Sequence, residues 1–460
     1  MAPCASMDRM PPAPPHDNPA EAEGPPTAGS GRFLGEFDFV IAGAGPAGAA
    51  AAITLTRLGR SVAVVDKVAF PRDKCCGDGL TTAALRRLES LGLDPWRIPS
   101  WEPVGDISIV GTDSRKLDLR LPDDGTQFAA SARREELDAA LIDVAVRGGA
   151  ALFVGSGVTR VEPPDRNGHV TTSLADGSSL TSSYLIAADG SWSPVRKALG
   201  LSTPGYLGDW QAGRQYYSGV GPLAKKLWVW FEPDMVPGYA WSFPLAGGMA
   251  NVGYGVIRQP VATRLQSSDS GESLEPGETD AGSGSGGLRG QRIDLLARPH
   301  IAEVLGPAAE AAGPWKGWPI PARIGHTVLS GLDGRVLFAG DAARACDPMT
   351  GEGIAQALET GEAAAKAAVV AGPYQPWKAA LRYTRQIRFG MALDDRLAAS
   401  LSSVLAHRSG SGKALAVAGS SEWSRRNFAR WMFEDYPRAA LVTPHRWERG
   451  MFSRRGAYSR

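Results

Sequence analysis

Residues 38–48 read Asp38-Phe39-Val40-Ile41-Ala42-Gly43-Ala44-Gly45-Pro46-Ala47-Gly48. A short apolar run that ends in glycines predicts a buried parallel strand over Asp38–Ala42. The small residues from Ala47 to Leu58, closed by Gly59, predict a helix, and Ser61-Val62-Ala63-Val64-Val65-Asp66 predicts a second strand. Together they make one βαβ unit, with Gly43-x-Gly45-x-x-Gly48 at its first turn, the context that gives this weak pattern meaning. Gly43 permits the tight turn, Gly45 lets backbone N–H groups approach a pyrophosphate, and Gly48 lets the helix pack on its strand. A helix starting near Ala47 adds unpaired N–H groups and the positive end of its dipole. Asp66 closes the second strand, where it can accept hydrogen bonds from a ribose, and Lys67 beside it is counted with the same site. Under the alternative reading the glycines serve tight packing alone.

The 460-residue chain is 43% hydrophobic and 21% charged, ordinary values for a globular protein with a proper core. Its net charge of +1 excludes nucleic acid as a bulk partner, because no strong overall field exists. Four cysteines are too few and scattered for a disulfide framework, so reduced thiols and a cytoplasmic location are expected. No metal-ligand spacing occurs among the cysteines and histidines. Residues 1–35 lack the apolar core of a signal peptide and read as a disordered tail. The uncharged run Phe39–Thr56 has membrane-span length, but its glycines and proline break it into strand and helix.

Arg134 to Val146 shows a helical pattern, Ala151–Val154 a strand, and Tyr184–Ala188 a buried strand ending at Asp189-Gly190. From Gln211 to Ile257 short alternating segments rich in Trp, Tyr and Phe predict an antiparallel sheet. Residues 267–290 read as a flexible insertion. Arg335–Ala339 returns as a core strand, a long helix runs from about Gly353 to Val370, and two helical segments span roughly Trp377 to Val417.

Two later motifs decide between NAD and FAD, which share the glycine fingerprint. Ala187-Ala188-Asp189-Gly190-Ser191 ends one strand, and Leu337-Phe338-Ala339-Gly340-Asp341-Ala342-Ala343 ends another. Here the sequence resembles the FAD-dependent group that includes para-hydroxybenzoate hydroxylase, flavin halogenases and geranylgeranyl reductases. The resemblance implies that Asp341, after Gly340, binds the ribityl–ribose region of FAD. It also implies that Asp189 lies near FAD and NAD(P)H, and that Arg134, in an Arg-x-x-x-Asp pattern ending at Asp138, contacts FAD.

Within that group the chain most resembles the geranylgeranyl reductase family. Phe70-Pro71-Arg72-Asp73-Lys74-Cys75-Cys76-Gly77-Asp78-Gly79-Leu80 looks like the family's Pro-Arg-x-Lys-x-Cys-Gly-x-Gly segment, with Cys76 at the cysteine position. Pro237-Gly238-Tyr239-Ala240-Trp241-Ser242-Phe243-Pro244 matches its Pro-x-x-Tyr-x-Trp-x-Phe-Pro motif. Asp347-Pro348-Met349-Thr350-Gly351-Glu352-Gly353-Ile354 resembles its Pro-x-x-Gly-x-Gly segment, placing Gly351, Gly353 and Ile354 at a helix start that favours negative charge on a reduced flavin. The resemblance implies a hydride from flavin N5 reaching an alkene in an isoprenoid chain, with NAD(P)H or ferredoxin as transient electron donor. Tyr239 and Trp241 share one side of a strand and can wall an apolar slot, or serve as core aromatics. Cys76 can donate a proton, pack beside the flavin, or fill core space. The Trp315-Lys316-Gly317-Trp318-Pro319-Ile320-Pro321 segment has the wrong tryptophan spacing for a halogenase signature and reads as a strand entry.

The expected fold is α/β: a Rossmann-type FAD-binding domain interleaved with an antiparallel-sheet substrate domain and followed by a helical C-terminal region. The first FAD-binding part takes 36–200, with a substrate-side excursion near 100–125. The antiparallel domain takes 201–320, the second FAD-binding part 321–371, and the helical, Arg/Trp-rich region 372–460. From Ser420 to Arg460 nine arginines face four acidic residues, with Trp and Phe interleaved. That composition suits a membrane surface holding an isoprenoid lipid, or a subdomain that packs its aromatics on the body. The alternative activity is a flavin-dependent monooxygenase acting on an aromatic or polyketide substrate.

Overall fold

A computed structural model describes residues 32–258, 294–405, 410–433, 439 and 454–459. Most of the expected N-terminal tail and all of the expected insertion at 267–290 lie outside the described residues. The first sheet is built on β1 (Phe33–Ala42), β2 (Val62–Asp66), β5 (Ala151–Val154), β6 (Ser179–Ala187) and β12 (Val336–Phe338). Its parallel core runs in the order β12-β6-β1-β2-β5. β1 thus takes in the last residues of the span expected as tail, because Phe33 and Gly35 pair with Ser179 and Leu180.

The central strands are buried on both faces, which explains their continuous Val, Ile, Leu and Ala runs. α1 (Pro46–Arg57), α2 (Arg134–Arg147) and α3 (Ile354–Ala371) cover this sheet. α1 and α3 approach closely because their facing residues are alanine and glycine: a Cβ at Gly361 would lie 2.1 Å from the Ala47 carbonyl oxygen.

The second sheet contains β3 (Asp106–Val110), β4 (Lys116–Arg120), β7 (Trp210–Ser218), β8 (Leu227–Trp230), β9 (Tyr239–Leu245) and β10 (Met249–Ile257). They lie in the order β7-β10-β9-β8-β3-β4, antiparallel except at β8–β3. β11 (Lys316–Ile320) pairs with β7, so the Trp315–Pro321 segment forms a strand of this sheet.

The C-terminal part holds three helices where two were expected over Trp377–Val417. They are α4 (Pro376–Phe389), α5 (Met391–Leu405) and α6 (Gly410–Ala418), followed by α7 (Glu422–Phe433). Gly390, at φ −108 and ψ −101, separates α4 from α5. The apolar period runs on across it, so periodicity alone does not mark the break. α6 and α7 pack their Leu415, Ala418 and Ala429 against Ile107, Ile109, Leu117 and Leu119 of β3 and β4. Among the described residues no helix is long and apolar enough to cross a membrane, and no group of side chains is arranged to hold a metal.

Candidate functional site

The site begins where β1 runs into the glycine turn. Gly43 sits at φ +95, and a Cβ there would lie 2.3 Å from the Ala188 carbonyl oxygen of the neighbouring crossover. A Cβ at Gly48 would lie 1.8 Å from the Gly43 carbonyl oxygen, so the third glycine is required by helix–turn contact. Gly45 differs: only the Arg72 guanidinium comes near, at 3.6 Å, leaving the space before the helix open. No side chain caps α1, whose first-turn N–H groups face that space.

Asp66 holds this turn. Its Oδ2 accepts from Ala44 N at 2.9 Å and from Arg72 at 3.2 Å, and its Oδ1 accepts from Val68 N at 3.1 Å. Arg72 also lies 3.5 Å from Asp138, yet its buried Nε has no hydrogen-bond partner. Lys67 is exposed, with its Cβ beside Gly157, and does not line the cavity described below.

At the far side of the same opening, Gly340 has φ +59 and Asp341 Oδ2 takes Lys74 Nζ at 2.9 Å and Ser191 Oγ at 3.2 Å. Burial alone would raise the Asp341 pKa, but the Lys74 charge and hydrogen bond hold it below the usual carboxylate value. Arg134 is buried and forms a two-pronged pair with Asp138 at 2.7 and 2.8 Å. Asp189 Oδ2 accepts from Val195 N at 2.8 Å, while its buried Oδ1 has no partner, and burial pushes its pKa up to about 6. Ahead of α3, Asp347 Oδ1 accepts from Met349 N and Thr350 N, fixing the loop that carries Gly351 and Gly353. α3 starts at Ile354 without a side-chain cap.

The second sheet faces these groups with a row of rings. Tyr239, Trp241 and Phe243 alternate along β9, with successive centroids 5.9 Å apart, and Trp210 meets Tyr239 at 6.0 Å. The Tyr239 hydroxyl donates to the Thr350 carbonyl, tying β9 to the loop before α3. Trp241 Nε1 donates to Asn251 Oδ1 at 3.0 Å, and Asn251 Nδ2 donates at 2.8 Å to both the Cys76 carbonyl and Asp78 Oδ2.

Asp78 is fully buried, accepts from the Tyr216 hydroxyl at 2.7 Å, and has its pKa pushed up to about 6. Burial is the main cause, opposed by Tyr216, Asn251 and the charges of Arg214 and Arg134. Burial also raises the Cys76 thiol above its ordinary value and pushes Cys75 up to about 12, so both stay protonated at neutral pH. Cys75 Sγ is turned to the Lys316 carbonyl at 3.3 Å.

One cavity of about 350 Å³ unites these parts. Of the residues singled out from sequence, Gly45, Ala47, Cys76, Arg134, Tyr239, Trp241, Gly340, Asp341, Gly351, Gly353 and Ile354 line it. Gly43, Gly48, Asp66 and Asp189 stand behind that surface, and Lys67 stands away from it. Leu415, Phe428, Trp431 and Met432 from α6 and α7 complete an apolar wall. Asp78, Tyr216, Asn251, Arg72, Lys74 and Trp318 were not assigned a role from sequence. For Asp78, Arg72 and Lys74 the signal lay within the quoted Cys76 segment; for Tyr216 and Asn251, whose partners are far along the chain, there was none.

The open cradle at Gly45, two uncapped helix starts and the unpartnered Arg72 Nε and Asp189 Oδ1 fit a dinucleotide that brings acceptors and donors of its own. Residues 36–214 match the family model described as an FAD binding domain. A menaquinone reductase of Mycolicibacterium smegmatis is 33% identical over 345 residues, covering 72% of this chain and 75% of the relative. A digeranylgeranylglycerophospholipid reductase of Methanococcoides burtonii is 28% identical over 331 residues, covering 71% and 72%. Among solved structures, a geranylgeranyl bacteriochlorophyll reductase-like protein of Thermoplasma acidophilum superposes with a TM-score of 0.65 at 20% identity, covering 90% of this chain and 99% of that one.

Proposed function

Because the chain belongs to the geranylgeranyl reductase family of FAD-dependent oxidoreductases, we propose that it saturates carbon–carbon double bonds in the isoprenoid chain, geranylgeranyl or polyprenyl, of a lipid or quinone. The observation that carries this reading is the row Tyr239–Trp241–Phe243 set across one cavity from the glycine turn and the Cys76 loop. An apolar chain has no charge for the protein to grip, so it must be positioned by shape and ring contacts. Reduced FAD, when bound, supplies the hydride for this reaction.

The chain's own groups do the rest. Gly43, Gly45 and Gly48 with the start of α1 hold the pyrophosphate; Asp66 and Arg72 order that turn from the ribose side. Asp341, held by Lys74, and Arg134, held by Asp138, set the polar floor between the two ends. The start of α3 at Gly351, Gly353 and Ile354 presents N–H groups to the electron-rich side of the cofactor. Tyr239 and Trp241 line the alkene slot, and Cys76 keeps a protonated thiol on the same cavity. NAD(P)H or ferredoxin recharges the cofactor between turnovers. A substrate of this kind resides in a bilayer, and the C-terminal region, 372–460, makes the peripheral contact with it.

The test is anaerobic. The flavin-loaded protein is reduced with dithionite and mixed with a polyprenyl quinone or geranylgeranyl lipid. Flavin reoxidation with a product heavier by a pair of hydrogens supports the proposal. Under air, a product heavier by one oxygen atom would instead identify a monooxygenase.

A further inference from the structure

From residue 363 to residue 393 the chain carries no acidic residue and five basic ones, Lys366, Lys378, Arg382, Arg385 and Arg388. Four of these lie on α4. That helix turns Ala379, Tyr383 and Ile387 into the core, and the Tyr383 hydroxyl donates to the Phe338 carbonyl at 2.6 Å. Its orientation is therefore fixed by the body of the protein, and the opposite face is presented as a rigid strip. On that strip Trp377 is 55% exposed, Leu381 59% and Phe389 67%, with Tyr374, one turn earlier, 88% exposed.

Cations and rings are interleaved at short range. Lys378 Nζ lies 5.3 Å from the Trp377 ring and the Arg385 guanidinium 5.8 Å from that of Phe389. None of Lys378, Arg382, Arg385 and Arg388 forms an ion pair among the described residues. An anchored helix with large apolar rings and cations interleaved on one face matches a bilayer interface, where rings enter the headgroup layer and cations meet lipid phosphates. A second copy of this chain is a poor occupant, since a two-fold contact would set four cations against the same four.

We propose that the exposed face of α4, with Tyr374 ahead of it, is the docking surface for an anionic lipid bilayer. The inference rests on the reading above in one respect, that the substrate is drawn from a membrane, and it replaces a general C-terminal contact with a single face. α5 follows α4 across the Gly390 break, and its Leu401 lines the cavity. The docked face and the cavity are thus joined by two consecutive helices.

The experiment uses the full flavin-loaded chain in flotation with vesicles of phosphatidylcholine, alone or with about one third phosphatidylglycerol. Binding is expected to the mixed vesicles and to fall with added salt. Removing a cation weakens partitioning about fivefold each, so Arg382→Gln/Arg385→Gln/Arg388→Gln together lowers it about a hundredfold. Trp377→Ala also weakens it, whereas Trp423→Ala, an exposed ring on α7, leaves it unchanged. Equal flotation of the triple variant, loss with Trp423→Ala instead, or an α4-dependent dimer in light scattering overturns the proposal. Turnover of a prenyl quinone in detergent is measured beside it: if no variant reduces that substrate there, the reductase reading fails while the vesicle result stands.

Discussion

The Tyr216 hydroxyl donates to the Asp78 carboxylate at 2.7 Å in a place closed to solvent, directly behind the Cys76 loop. Asp78 is the hub where three separate pieces of chain meet: the loop itself, β7 through Tyr216, and β10 through Asn251. Such a buried carboxyl costs stability when ionised, even with its hydrogen bonds made.

Its folded pKa of about 6 against an ordinary 3.8 fixes the sign of the pH effect. The fold binds this proton more tightly than the unfolded chain does, so stability falls as pH rises from about 4 to about 6 and levels off above. The span corresponds to about 3 kcal/mol, and Asp189, also near 6, acts in the same direction. Asp78→Asn removes one of these two slopes. Denaturant melts at steps across that window should show the variant gaining on the parent as pH rises; parallel curves would count against a raised Asp78.

Two adjacent cysteines separate a site role from a filling role. Both line the cavity, but Cys76 lies beside Arg134 while Cys75 turns its thiol to the Lys316 carbonyl. Cys76→Ala is expected to slow reoxidation of the reduced protein by a prenyl substrate about a hundredfold, with flavin content unchanged. Cys75→Ala should leave that rate close to the parent's. Similar rates for both variants would return Cys76 to packing.

What could be read in advance follows the range of each interaction. β1, the glycine turn, α1 and β2 are legible because strand period, turn glycine and helix length are all local. The break at Gly390 was not, since the apolar period continues through it. The Lys74–Asp341 and Tyr216–Asp78 pairs join residues far apart in sequence, so no spacing announces them. Family motifs point to Cys76, Tyr239 and Trp241, and these three line one cavity. They could not tell that Asp78, between two glycines of the same motif, holds Asn251, which in turn bonds the Cys76 carbonyl and the Trp241 indole.

The glycine turn allows a clean separation of folding from cofactor loading. At Gly48 a methyl group would collide with the Gly43 carbonyl, so Gly48→Ala should lower stability and flavin content together. At Gly45 a methyl group would meet, beyond its chain neighbours, only the flexible Arg72 guanidinium at 3.6 Å, so Gly45→Ala should keep its far-ultraviolet dichroism and apoprotein melting temperature. The added methyl still stands where the pyrophosphate must approach, and flavin content should drop at least tenfold, about 1.4 kcal/mol of binding. A Gly45→Ala protein that purifies fully yellow would remove the pyrophosphate from this turn.

Trp241 tests whether the ring row acts on substrate or only on the fold. Trp241→Phe keeps a ring in the row but deletes the indole N–H, leaving Asn251 Oδ1 unpaired in a buried place at about 1–3 kcal/mol. Asn251 is then free to turn its amide, which would weaken its bonds to the Cys76 carbonyl and Asp78 together. A purely structural tryptophan predicts a lower melting temperature and an unchanged kcat/KM once the folded fraction is counted. A slot-lining tryptophan predicts a further loss, confined to prenyl substrates and absent when a small quinone takes the electrons. Measuring both acceptors on the same preparation decides between them, because the stability penalty is common to the two assays and only contact with the chain distinguishes them.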